Sequence, residues 1–265
     1  MKSFFMYAFL CVMSFFSVFP LYYMVCAATN TSVDVIRGRL IPGMNLINNF
    51  VSLVNLQNVG GAFLNSVKYS LLLTLLSMLI CSLAGYGFEI FHDKAKDTVM
   101  SIILLAMMVP FVATLIPLFQ MVTEWGLMNS TLAFVLPSIS TPFLIMMFRQ
   151  SARSFPHDII EAARIDGLSE IRIFFQMFFP TMKSTYAAAA TITFMNAWNS
   201  YLWPKVVMTK TESITMPMVV ANLVGGYVTD YGVLMLAVLI CTLPTAIVFF
   251  CLQKSFAEGI TGAVK

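Results

Sequence analysis

Six long runs of this chain contain no Asp, Glu, Lys or Arg: Phe4 to Ala28, Tyr69 to Phe88, Thr98 to Thr123, Trp125 to Phe148, Ser184 to Pro204 and Tyr231 to Gln253. A helix needs roughly 20 apolar residues to cross about 30 Å of hydrocarbon, and each run reaches that length. Burying all six in a water-soluble core is excluded by composition. Of the 265 residues 59% are hydrophobic and 10% charged, where soluble domains carry about a quarter charged. Mean hydropathy is +0.86. Backbone polar groups find no partner in lipid, so a spanning segment of this length has to be helical. The sequence therefore predicts an all-α integral membrane protein with six transmembrane helices forming a single transmembrane domain over 1–265.

Two further uncharged stretches, 40–67 and 213–229, hold Asn45, Asn48, Asn49, Asn55, Gln57, Asn58, Asn222 and the pairs Gly60–Gly61 and Gly225–Gly226. Side-chain amides are costly against lipid, so these read as outer-face helices or re-entrant elements. The first run follows Lys2, as a signal peptide would. It exceeds the about 7 to 15 residues of a signal core, and Val25 before Cys26 is not the small residue that cleavage requires. It reads as a retained helix.

Positive loops stay in the cytoplasm. With the amino terminus inside, Lys2, Lys94, Lys96, Arg149, Arg153, Arg164, Arg172, Lys183, Lys254 and Lys265 fall on inner segments. Arg37, Arg39, Lys68, Lys205 and Lys210 fall outside. Both termini and the 149–183 loop are then expected in the cytoplasm, and topology accounts for the net charge of +3 without nucleic acid. Cys11, Cys26, Cys81, Cys241 and Cys251 lie unpaired within apolar runs and read as small hydrophobes. His92 and His157 are isolated in loops, so no metal-ligand spacing exists.

The loop 149–183 carries helix signals. Pro156 suits a first turn and Asp158 a helix start. Ile159, Ile160 and Ala163 fall on one side of the helix, with Glu161 and Arg164 on another. Gly167 suits a left-handed helix end, and Ser169 a new cap. Ile171, Phe174, Phe175, Phe178 and Phe179 then follow the spacing of an apolar stripe, closed by Pro180 and lying against the inner face of the membrane. Periodicity leaves two readings standing: a solvated connector with an interfacial helix, or a docking knob for a cytoplasmic partner.

The residues themselves carry a resemblance. Glu161, Ala162, Ala163, Gly167 and Pro180 match the pattern E-A-A, three residues, G, nine residues, I-x-L-P, with Met177 and Phe179 at the Ile and Leu positions. ARIDG at 163–167, AWNSYLWP at 197–204, Thr215 with Pro217, and LPTAIVFFCLQKSFAEGITGAVK at 243–265 extend the likeness over most of the chain. The sequence resembles the permease subunits of maltose-type carbohydrate ABC importers, although its tail is one residue shorter than usual between Thr261 and Gly262. The resemblance implies a type I importer permease whose coupling helix, carrying Glu161, Ala162, Ala163, Arg164, Asp166 and Gly167, sits in a cleft of an ATPase subunit. It implies a second, homologous permease, with a homodimer as the other arrangement, two ATP-binding cassette subunits and an extracytoplasmic sugar-binding protein. The substrate it implies is a neutral di- or oligosaccharide.

No G-x-x-x-x-G-K-[ST] loop occurs in the chain, so ATP and Mg are expected on the partners, with no cofactor and no catalytic group here. An ion-gradient-driven secondary transporter is the competing reading. The absence of charged residues within the six runs weighs against it, since such carriers keep ionisable relays in their spans. A passive channel is compatible with composition, whereas an intramembrane enzyme lacks candidate groups. For the substrate path, Asn196 and Asn199 share a helix face, with Trp198, Tyr201 and Trp203 nearby. Amides can bond sugar hydroxyls and aromatic faces can stack on sugar rings, but helix–helix bonding and an interfacial aromatic belt explain the same residues. Pro110, Pro117, Pro137, Pro142 and Pro244 each remove a helix hydrogen bond and can kink a span. The Met-rich region 104–121 reads as packing.

Overall fold

The computed structural model describes residues 2–226 and 228–262, with side chains for 4–226 and 228–253. The end of the tail motif, 263–265, lies outside the described residues, as do Met1 and Tyr227. Among the described residues every regular element is helical. Leaving aside the short helices Ser32–Ile36 and Phe179–Thr181, the α-helices in order are α1 (Lys2–Ala28), α2 (Leu46–Leu56), α3 (Val59–Ile90), α4 (Lys94–Ala106), α5 (Phe111–Glu124), α6 (Thr131–Val135), α7 (Pro142–Arg153), α8 (His157–Ile165), α9 (Glu170–Ile173), α10 (Lys183–Trp198), α11 (Leu202–Val207), α12 (Met216–Val224) and α13 (Tyr231–Gly262).

Three of these, α1, α3 and α13, are single helices long and apolar enough to cross a membrane. The third run divides into α4 and α5, bent by 98° across a break over residues 107–110 that ends on Pro110, the cap of α5. The fourth divides at 139–141, where α6 with its 3-10 extension meets α7 at 54°. Its first residues, 125–130, form a turn in which Gly126 and Asn129 have φ of 67° and 61°. Counting each bent pair as one crossing gives up to five candidate spans. The remaining run is α10, whose 16 residues reach about 24 Å at 1.5 Å per residue. It stops at Trp198, capped by Asn199, and α11 begins at Leu202.

The stretch 40–67 is two elements rather than one outer element. Asn58 accepts a hydrogen bond from Gly61 N–H at 3.0 Å, so α3 begins at Val59 and Gly60 and Gly61 form its first turn. A Cβ at Gly61 would lie 2.6 Å from Asn58 Nδ2, so glycine is what admits this cap.

The chain forms two compact bodies. In the first, Met1–Leu64 with Ile214–Pro244, the amides absorb the open end of α1. Asn30 Nδ2 donates to Cys26 O and Ile41 O, and Asn49 Nδ2 donates to Ala28 O and Asn30 O, all at 2.9 Å. Terminal carbonyls of a helix lack internal partners. Asn30 and Asn49 supply them from within the protein and are themselves buried. Gly232 at the start of α13 abuts this knot, since a Cβ there would lie 2.5 Å from Asn30 O.

The second body is Asn65–Ser213 with Thr245–Lys265. One core cluster joins Met78 and Cys81 of α3 to Met100 of α4, Leu144, Ile145 and Phe148 of α7 and Ala189 of α10. At one end Asn129 ties two turns together. Its Oδ1 accepts from Thr209 N, Lys210 N and Ser213 Oγ at 2.6, 2.8 and 2.9 Å, and its own N–H donates to Val207 O.

Candidate functional site: an exposed helix and a membrane cavity

Pro156 is the cap of α8 in extended geometry, one residue before the first turn where the sequence placed it, and Asp158 sits in that turn. The helix ends on Gly167 at φ 78°. Gly167 N–H donates to Arg164 O and Leu168 N–H to Ala163 O, both at 3.0 Å. These are the paired closing bonds of a Schellman end. The chain then reverses through Ser169, which occupies the cap position of α9 without giving it a side-chain bond.

Below α8 lies a second core cluster: Tyr86 of α3, Ala152 and Phe155, Ile160 and Ala163 of α8, and Ile173, Phe174 and Phe178. Two sequence expectations change here. Ile159 is exposed, while Ile160 and Ala163 face the core. The aromatic stripe splits because residues Phe174–Phe178 form a π turn, which rotates the side chains that follow it. Phe174 and Phe178 go inside, stacked at 5.6 Å, with Tyr86 edge-on to Phe174 at 5.3 Å. Ile171, at 68% exposure, Phe175 and Phe179 remain outside.

The residues expected to contact an ATPase therefore separate. Glu161, Ala162, Arg164, Asp166 and Gly167 are on the surface, with Ile165 beside them at 86% exposure, while Ala163 is buried in the chain's own core. Ala163 seats α8 on that core. Arg164 Nε donates to Glu170 Oε1 at 2.6 Å, and its guanidinium lies 5.9 Å from the Phe91 ring centre. The Glu170 carboxylate raises the Arg164 pKa above its ordinary value. This pair ties the end of α8 to the start of α9.

A cavity of about 490 Å³ opens in the same body, within the range of about 300–1,000 Å³ of small-ligand sites. Its walls come from the two helix breaks. Ser138 and Thr141 flank the gap before α7, Thr193 and Asn196 belong to α10, and Ser200 follows it, while Phe134, Phe143 and Trp203 supply aromatic surface. Residues of both breaks line this cavity. Of the residues the sequence grouped for a path, Asn196 and Trp203 line it. Trp198 is buried and stacked on Phe194 at 5.9 Å, and Asn199 lies outside the lining, its N–H donating to Met195 O. Trp203 is buried rather than part of a belt, its indole N–H donating to Ala133 O at 2.8 Å. Sequence reasoning missed Ser138, Thr141, Thr193 and Ser200. The signal was four residues, Ser138 to Thr141, three of them hydroxylic, held between Pro137 and Pro142.

The chain combines long apolar helices with one exposed helix seated on a buried core, and comparison with known proteins gives its class. Residues 83–262 match the family of binding-protein-dependent transport system inner membrane components. The chain is 44% identical to the lactose transport system permease protein LacG of Rhizobium radiobacter, over 98% of this chain and 95% of that one. It is 32% identical to the arabinooligosaccharides transport system permease protein AraQ of Halalkalibacterium halodurans, over 95% and 92%. The fold superposes with a TM-score of 0.84 at 19% identity, covering 96% of each chain, on a bacterial ABC transporter involved in the import of the acidic polysaccharide alginate. This chain belongs to the family of binding-protein-dependent transport system inner membrane components. It is a transmembrane subunit of an ABC importer.

Proposed function

We propose that the chain moves a neutral di- or oligosaccharide across the cytoplasmic membrane, driven by ATP bound with Mg on partner subunits. Its partners are a second permease, two ATPase subunits and an extracytoplasmic binding protein. The observation that carries this reading is the build of α8: one face is anchored in a core of eight buried residues and the other presents Glu161, Ala162, Ile165 and Asp166 bare. A helix fixed on one side and unpartnered on the other acts as a lever. Closure of two ATPases draws such levers together, and the membrane helices rock from inward to outward access.

Orientation follows the positive loops, with both termini and the 149–183 segment inside; α10 with α11 then completes six crossings. The cavity supports a sugar as cargo, because hydroxyl and amide groups can bond sugar hydroxyls and aromatic faces can cover the ring. The relatives named for lactose and arabinooligosaccharides support the same class. The alternative of an ion-gradient carrier finds no ionisable residue in the cavity lining.

The test is to introduce a cysteine by Ala162→Cys, crosslink in native membranes and identify what co-purifies. An ATPase is the expected product. Its absence, with the protein folded and abundant, removes the reading of α8 as the contact for an ATPase.

A further inference from the structure

Three helix ends meet at Arg149, near the end of α7. Its Nε donates to Glu89 Oε2 on α3 at 3.0 Å, and its Nη2 donates to Asp97 Oδ1 in the first turn of α4 at 2.6 Å. The Arg149 and Glu89 side chains are only 16% and 14% exposed. The other Asp97 oxygen meets His92 Nε2 at 2.9 Å. One turn before Glu89, Gly85 brings the backbones of α3 and α7 together, since a Cβ there would lie 2.6 Å from Arg149 N. The same two helices carry the floor beneath α8: Tyr86 lies on α3 and Ala152 on α7, both packed with Ile160 and Ala163.

We propose that Arg149 is a positioning residue for energy coupling. By gripping Glu89 and Asp97 at once it makes the ends of α3, α4 and α7 a single base, so that displacement of α8 moves the membrane helices instead of being lost in sliding between them. The planar guanidinium holds two carboxylates in fixed directions, which an ammonium on a flexible stem does not. Apolar side chains of similar volume can stabilise such a contact equally well, but they leave helices free to shift along one another. This inference rests on the reading of α8 as the driven element.

The test uses the complex with its partner subunits and follows maleimide labelling at Asn196→Cys, with and without ATP, in otherwise native and Arg149→Lys backgrounds. Arg149→Lys keeps a positive charge against half-buried Glu89, so the complex is expected to assemble and to hydrolyse ATP within about twofold of native. The ATP-dependent change in labelling is expected to shrink about fivefold or more, the size of a typical coupling between sites. Arg149→Gln should show the same loss, and where it fails to assemble Arg149→Lys decides. An unchanged labelling response in Arg149→Lys overturns the proposal. So does a fall in hydrolysis and labelling response together in proportion to assembled complex, which is the mark of a purely structural residue. A native complex with no ATP-dependent response at Asn196→Cys overturns the coupling reading itself, and the proposal with it.

Discussion

Single positions in this chain act through what surrounds them. Gly167 sits at φ 78° with nothing within 4 Å of the place a Cβ would take, so a side chain there meets backbone strain and not crowding. Gly167→Val is expected to cost about 1–3 kcal/mol locally, to insert in the membrane at native levels and to abolish uptake. Sugar uptake alongside membrane abundance checks this. Gly85 is the opposite case, in ordinary helix but with Phe148 Cβ 2.7 Å from where its own would be. Gly85→Ala should force α3 from α7 at a cost of about 1–3 kcal/mol, read as a lowered Tm in detergent. Ala162 and Ala163 are adjacent and identical in type, yet one is exposed and the other buried. Helical spacing already grouped Ala163 with Ile160, but which side faces inward was not legible, because a short helix shows its inner face only once the core beneath it is known.

At the level of elements, the apolar runs were legible because bilayer thickness fixes their length. Their breaks were not. Pro20, Pro117 and Pro244 lie inside continuous helices, while Pro110 and Pro142 begin new ones. The residue type is the same, and what decides is whether neighbouring groups take up the freed backbone bonds. The π turn at Phe174–Phe178 was hidden for a similar reason: the aromatic spacing satisfies a regular helix equally well. The two breaks around the cavity carry a prediction. Removing polar groups there, by Asn196→Ala or Thr141→Val, should raise the KM for sugar about two- to tenfold each, the weight of one hydrogen bond, with ATP hydrolysis retained. Transport kinetics in proteoliposomes measure it, and an unchanged KM would leave the cavity without a role in recognition.

For the molecule as a whole, the exposed face of α8 predicts protection by assembly. Ala162→Cys should label readily with maleimide in the isolated chain and at least about tenfold more slowly once ATPase subunits bind, since a buried interface core excludes reagent and water alike. Ala163→Cys should stay unlabelled in both states, because its shield is the chain itself. Mass spectrometry of the labelled protein separates the two. The asparagine knot has a consequence of another kind. Ser32 Oγ accepts from Tyr231 N–H across a sequence separation of 199 residues, next to the point where Gly232 meets Asn30 and Asn49. At about 5–20 residues per second, the ribosome delivers that second partner about 10–40 s after the first. Through that interval the newborn first helix waits in the membrane with its final mate unsynthesised, and any chaperone or protease that surveys unfinished permeases has that window in which to act.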